Sequence, residues 1–411
     1  MSSAGAPQPS EPRMRTLDAD EWEQLRLREF PGERCNLNAG TLGTPARSVL
    51  AAQRAFWQDD LHAWPLGQYR RGREDLHRAR ALAHALWGPT AVALCGGASE
   101  AMTRLTLALH ARLTPAPIRV LTSGLEHSGG IQGFARHPDF TLQYLPDAAL
   151  GDPAALTDHL LKFRPQVLLL SQVTYCTGQV LPISALLQAA RAVDPTIWTI
   201  VDAAQALGLV PPALAHADAV VASGHKWLFG PPGTGLMWLS PRALHELAPG
   251  WAGEALDAES PTAAFEPTGG HDFSRYAGLA AALDLHTTLG PAQILARCQR
   301  LAAWFAAELH DRLRSHHIDH TFHDPPTGTQ QSTPPTADRL LGAIHVQFAD
   351  LDPYPAYAAL DAQGLHLKCI KGRRPTGAHQ NLLRFCIPPH ESFLRLTLAL
   401  DRITAALARP S

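Results

Sequence analysis

Lysine is nearly missing from this chain of 411 residues: of 35 basic side chains only four are lysines, Lys162, Lys226, Lys368 and Lys371. Chemistry that needs a primary amine therefore has few suppliers. Six cysteines are spread along the chain with no CxxC pair and no metal-ligand spacing, which fits reduced thiols better than a disulfide framework and predicts no metal site. No stretch reaches the roughly 18 apolar residues of a membrane span. The 35 basic and 37 acidic residues nearly cancel, for a formal charge of -2, so no global basic field exists to hold nucleic acid or an anionic membrane. The first residues, MSSAGAPQPSEPRMR, lack the apolar core of a secretory signal, and a cytoplasmic location is expected. A phosphate-binding GxxxxGK[ST] motif is also missing, which weakens a plain nucleotide-binding reading.

What is present is a globular composition, 45% hydrophobic and 18% charged, long enough for two or three domains. Between Ala91 and Ser240, short apolar runs alternate with helix-length segments: AVALC, IRVLTS, TLQYLP, QVLLLSQ, IWTIVDA, ADAVVAS and GLMWLS. Runs that are apolar throughout read as strands covered on both faces by helices. The expected fold class is therefore α/β, a three-layer domain around a mostly parallel sheet. After about Gly290 the rhythm changes to a long helical pattern over Pro291 to Ser315, a strand near Ile318 to Phe322, and the polar stretch DPPTGTQQSTPPTAD, expected as a surface loop or mobile flap. A strand (GAIHVQF), a helix (YPAYAALDAQG), two strands (LHLKCIK and LLRFCI) and a final helix follow. The expected division is an N-terminal segment over 1–30, partly disordered, a large α/β domain over 31–290 and a smaller α+β domain over 291–411.

Four stretches carry chemistry, each where a doubly wound sheet holds its ligand, beyond the carboxyl ends of strands. In CGGASEAMTRLTLALH a strand ends in glycines and Ala98 and Ser99 open a helix, either a tight turn or a phosphate site. In IVDAAQALG, Asp202 ends an apolar strand and Gln205 follows; the carboxylate either caps what comes next or meets a buried cation. In SGHKWLFGPPGTG, Ser223 ends a strand and His225 and Lys226 follow in a tight turn. Lys226 is the only lysine between Lys162 and Lys368, and a desolvated lysine is what imine chemistry requires. In SGLEHSGG, His127 is either a ring to stack on an aromatic ligand or a structural histidine. Together the four ask for one ligand with a phosphate, a ring nitrogen, a stackable face and a carbonyl, and pyridoxal phosphate has all of these.

The set GGASEA, EHSGG, VTYCTGQ, VDAAQALG and SGHKWLFGPPGTG resembles the class V aminotransferase family of fold-type I pyridoxal-phosphate enzymes, which includes cysteine desulfurases, kynureninase, isopenicillin-N epimerase-like enzymes and carbon–sulfur lyases. The resemblance runs from about Asn38 to Arg384. It implies Lys226 as the Schiff-base lysine, Asp202 as partner of the pyridine nitrogen, Gln205 as donor to the phenolic oxygen and His127 as a catalytic ring stacked on the cofactor. It implies Ala98, Ser99, Ser223 and His225 as the phosphate cup, and Arg384 of LLRFCIPP, with Asn38 of NLNAGTLGTP, on the substrate side. The activity implied is transamination or β-elimination on a small amino acid by a homodimer. The loop KGRRPTGAHQN lacks the nucleophilic cysteine of sulfur-extracting relatives, and Cys369 lies inside a strand-like run; a desulfurase, an epimerase-like member or a non-catalytic cofactor binder are the alternatives. FEPTGGHDF offers Gly269 and Gly270 where the family places a Gly-Thr pair for the neighbouring subunit's phosphate.

Overall fold

Each of the seven apolar runs is a strand in the computed structural model, which describes residues 16–32, 34–58, 66–248 and 255–408. The strands are β1 (Val92–Cys95), β2 (Ile118–Ser123), β3 (Phe140–Leu145), β4 (Val167–Ser171), β5 (Trp198–Asp202), β6 (Ala219–Ser223) and β7 (Gly235–Leu239). They form one sheet in the order β1-β7-β6-β5-β4-β2-β3. Neighbours from β6 through to β3 pair in parallel, and β7 alone runs against both of its partners. Alternation along β4 explains why no polar face appears: Leu168 and Leu170 enter one core, Val167 and Leu169 the other. Both sides of the strand are dry, and burying each such leucine is worth about 1.5–3 kcal/mol.

Helices supply the outer layers. Those before and within the sheet are α1 (Ala19–Glu29), α2 (Arg47–Gln58), α3 (Leu66–Trp87), α4 (Ala98–Leu113), α5 (Ser128–Arg136), α6 (Pro153–Phe163), α7 (Ile183–Val193) and α8 (Pro241–Glu246). Four more follow: α9 (Ser274–Leu289), α10 (Pro291–Ser315), α11 (Tyr354–Ala362) and α12 (Phe393–Leu407). Leucines of α4 and Phe134 of α5 cover one face of the sheet, while α3, α6, α7 and α9 cover the other. Local signals set several helix starts. Asp152 accepts from the Ala154 amide at 2.8 Å with Pro153 in the first turn of α6, and Asp18 and Glu21 close a capping box on α1. The expectation of disorder near the N-terminus concerns residues 1 to about 13, which lie outside the described residues; Ala19–Glu29 within the 1–30 segment is helical.

A second sheet holds β8 (His320–His323), β9 (Gln330–Gln331), β10 (Ala343–Phe348), β11 (Lys368–Arg373) and β12 (His379–Cys386), in the order β11-β12-β10-β8-β9 with every pair antiparallel. One face packs on α10, α11 and α12 through Ile344, Val346, Leu383 and Phe385. Residues 36–38 join this sheet from far away in the chain, by bridges of Asn36 to His366 and Asn38 to Cys386. The polar stretch after β8 is tied down: Asp324 pairs with Arg339 (Nε to Oδ1, 2.6 Å), Pro325 accepts from the Val180 amide at 2.8 Å, and Gln330–Gln331 pair with β8. Its composition reads as loop because the bonds that order it come from partners distant in sequence.

Candidate active site

A cavity of about 230 Å³ opens at the carboxyl ends of the parallel strands, lined by Gly96 and Gly97 after β1, His127 after β2, Ser171 of β4, Asp202 of β5 and Ser223 of β6. Parallel strands end together, so residues far apart in sequence converge there. Eight of the ten residues singled out from the sequence line this cavity: Ala98, Ser99, His127, Asp202, Gln205, Ser223, His225 and Lys226. Arg384 lines a narrow recess that shares Val173, Tyr175 and Gln205 with the cavity wall, and Asn38 accepts a hydrogen bond from it. Gly269 and Gly270 do not line the cavity of the single chain.

Lys226 sits in a turn pinned on both sides. The Gly43 amide donates to the His225 carbonyl at 2.8 Å, Trp227 is buried, and His286 Nε2 lies 3.1 Å from the Trp227 carbonyl. Burial lowers the Lys226 ammonium to about pH 8, against a smaller opposing pull from Asp202. Asp202, the last residue of β5, spends Oδ1 on the Ala204 amide at 2.8 Å. Burial raises its pKa, while the nearby Lys226 charge and that amide work the other way. Its neighbour Glu126 is pushed up to about 7 by burial, although Ser123 Oγ donates to it at 2.6 Å and Ser171 Oγ donates to it as well. His127 is held neutral: burial first, then the charges of Lys226, Arg384 and Lys368, lower its pKa to about 4. Its Nδ1 caps α5 by accepting from the Gly129 amide at 3.0 Å, and its ring stands edge-on to Tyr175 with centroids 4.8 Å apart.

At the other end of the cavity, Gly97 holds a φ of +139° that a side chain would strain, and this conformation aims the first amides of α4. The Ala98 amide donates to Ser223 Oγ at 3.2 Å, which joins the start of α4 to the end of β6. His225 Nδ1 is buried without a hydrogen-bond partner. Gln205 donates from Nε2 to the Gly40 carbonyl at 2.7 Å and accepts from Trp227 Nε1 at 3.3 Å, so its amide is held in one orientation with a second hydrogen on Nε2 unspent. Arg384 is 1% exposed. Its Nη2 donates to Asn38 Oδ1 (3.2 Å) and Thr41 Oγ1 (2.9 Å), its guanidinium lies 5.0 Å from the Tyr175 ring centre, and Nε and Nη1 have no partner. A buried guanidinium with spare donors is a receptor for a planar anion.

The profile of the family described as aminotransferase class-V matches residues 73–385. The chain belongs to the class V aminotransferase family. It is 33% identical to an isopenicillin N epimerase of Streptomyces clavuligerus over 193 residues, 42% of this chain and 47% of that relative, so the match spans about half of the relative's length. It is 30% identical to a probable cysteine desulfurase of Xylella fastidiosa over 321 residues, 70% of this chain and 75% of the relative. Among solved structures it resembles an apo cysteine desulfurase from Thermococcus onnurineus NA1, with a TM-score of 0.75 at 17% identity, covering 96% of this chain and 98% of that one. A cystine C–S lyase in complex with its product cysteine persulfide gives a TM-score of 0.74 at 21% identity, covering 92% and 99%. At these identities the structural likeness is one of fold.

Class V aminotransferases are pyridoxal-phosphate enzymes, and that is the cofactor of this chain. The residues present fit it. Asp202 spends only Oδ1 on the Ala204 amide, which leaves Oδ2 available to a protonated ring nitrogen, and a Cβ on Gly130 would crowd Oδ2 at 3.0 Å. The resemblance places Asn38 to Thr41 near the cofactor, and Thr41 does line the cavity. Sequence reasoning passed over Ser171, which lies in a stretch already quoted but gives no signal of its own, and Lys368, which looks like an ordinary strand residue until the small sheet is seen. No cysteine lines the cavity among the described residues. Cys369 packs against the core on the helix side of the second sheet, and burial raises its thiol pKa.

Proposed function

We propose that this class V aminotransferase acts on a small amino acid, by transamination or by elimination at Cβ, with Lys226 as the amine that anchors the cofactor's carbonyl carbon. The observation that supports this reading is the convergence on one cavity of a lysine lowered to about pH 8, a buried carboxylate with a free oxygen, and, behind the Tyr175 wall, a guanidinium with two unspent nitrogens. When bound, pyridoxal phosphate supplies an electron sink for the pair released at the substrate Cα.

The chain's own residues do the rest. Arg384 binds the substrate α-carboxylate with an unspent N–H donor, while Asn38 and Thr41 hold Nη2 and fix the plane of the guanidinium. Asp202 keeps a proton on the ring nitrogen. Gln205, oriented by Gly40 and Trp227, donates to the ring oxygen, and neutral His127 walls the ring face without adding charge. Ala98, Ser99, Ser223 and His225 hold the phosphate. Lys226, its ammonium lowered by burial to about 8, moves the proton at Cα, a transfer that typically contributes about 10²- to 10⁴-fold. The same reading makes the enzyme a cytoplasmic homodimer with its cofactor unit in 31–290 and a smaller unit in 291–411. A route in which an enzyme thiol takes up sulfur has no thiol in the cavity wall among the described residues to support it.

Borohydride reduction followed by peptide mass analysis tests the anchor: an adduct on Lys226 is expected, and an adduct elsewhere or none overturns it. Adding an amino-acid panel while recording the cofactor spectrum and assaying products separates the two chemistries. A 2-oxo acid with loss of the aldehyde absorbance marks transamination, whereas pyruvate or alanine with the absorbance retained marks elimination.

A further inference from the structure

One cation of the cavity wall has no task in that reading. Lys368 opens β11 and lines the same cavity as Lys226 and His127. In the antiparallel register it stands directly opposite Arg384 of β12, and Arg384 stands opposite His345 of β10. Directly opposed residues project to the same face with Cβ atoms about 4.5–5.5 Å apart. That face is turned away from the helix core, because the alternate residues Cys369, Leu383 and Phe385 belong to the packing on the other side.

Like charges directly opposite on a sheet are destabilising, and among the described residues only neutral groups, Asn38, Thr41 and the Tyr175 ring, meet the Arg384 guanidinium. Among the described residues no carboxylate forms an ion pair with Lys368 or Arg384, and His345 beside them is kept neutral by burial. The acidic groups that reach the cavity are committed elsewhere: Glu100 to Arg104, and Asp202 to the Ala204 amide and the ring end of the site. A single α-carboxylate on Arg384 leaves the second cation without an anion.

We propose, resting on the function proposed above, that the substrate carries a second acidic group on its side chain, and that Lys368 binds this group while Arg384 binds the α-carboxylate. The substrate class is then the acidic amino acids. Lys368 decides between a charged side chain and its neutral isostere, and the pair Lys368 and Arg384 sets the orientation in which Cα meets Lys226.

The test uses the holoenzyme and two isosteric pairs, aspartate with asparagine and glutamate with glutamine. The wild type is expected to prefer the acid of at least one pair by about tenfold or more in kcat/KM, the size of one charge-assisted hydrogen bond. Lys368→Gln and Lys368→Met are expected to erase that preference, mainly through KM for the acid, with the amide's kcat/KM changed by about twofold or less; Lys368→Glu should turn the preference toward the amide. Equal use of acid and amide by the wild type overturns the proposal. So does a Lys368→Gln enzyme that slows both members alike, as it would if both cations clamped one carboxylate. The borohydride adduct on Lys226 is read in parallel: a wild type that forms it but turns over none of the four overturns the acidic-substrate proposal alone, whereas absence of the adduct in the wild type overturns the underlying function.

Discussion

At the large sheet the functional groups sit in turns just past strand ends, each within a short local stretch, whereas at the five-stranded sheet they sit inside strands and meet only through cross-strand register. The two walls also differ electrically. Lys226 and Asp202 are opposite charges that partly offset one another's burial. Arg384 and Lys368 are like charges directly opposite in register, and among the described residues no carboxylate forms an ion pair with either. A wall that balances itself suits a resident cofactor; a wall left positive suits a ligand that arrives with its own negative charge.

Substitutions on the two walls should therefore fail in different ways. Lys226→Ala carries the largest expected effect, loss of both the bound cofactor's visible absorbance and turnover; a variant that stays yellow and active would remove the large-sheet wall from the chemistry. Asp202→Asn should retain cofactor but lose about 10²- to 10³-fold in kcat, the usual cost of deleting one preorganised charge, and near-normal kcat would break the assignment of Oδ2 to the ring nitrogen. Arg384→Gln is expected to lower kcat/KM by about 10²-fold through KM with the absorbance intact, so loss of the cofactor spectrum there would erase the contrast between the walls.

Smaller effects sharpen the same contrast. Lys226 is lowered from 10.5 to about 8, so the folded cofactor-free protein releases this proton before the unfolded chain does. Its burial penalty is fully present below about pH 8 and is relieved as pH rises toward 10.5, where the unfolded chain holds more protons. Cofactor-free wild type should therefore gain urea resistance between about pH 7.5 and 9.5 relative to Lys226→Met; parallel curves would show a lysine that behaves as if in water. Cys369→Ser should cost about 1 kcal/mol of stability at most with turnover unchanged, and loss of turnover would bring a thiol from the core side into the reaction.

How much of this was legible from residues alone depends on where each residue sits. The seven strands were readable because cover on both faces leaves unbroken apolar runs, and α10 kept the bounds its helical pattern predicts. Asp202, His127 and Lys226 stand at strand-to-turn junctions marked by glycines and a break in hydrophobicity. Arg384, inside LLRFCI, reads as a strand-edge arginine on composition alone and gained a role only by resemblance; the structure buries it and hands it to Asn38 and Thr41. Lys368 left no signal, because a single lysine at the start of a strand looks the same whether it faces water or a cavity.

The alternation of apolar runs and turns was enough, by itself, to determine the α/β architecture, the lysine turn after β6 and the carboxylate at the end of β5, since burial on both faces and tight turns are local constraints that write local patterns. Only the tertiary structure decided that residues 36–41 from before the first strand clasp Arg384 near the end of the chain, and that Lys368, Arg384 and His345 share one face. Register belongs to the assembled sheet: a shift of one residue would exchange Lys368 for Cys369 at the cavity, and nothing within either strand alone forbids it.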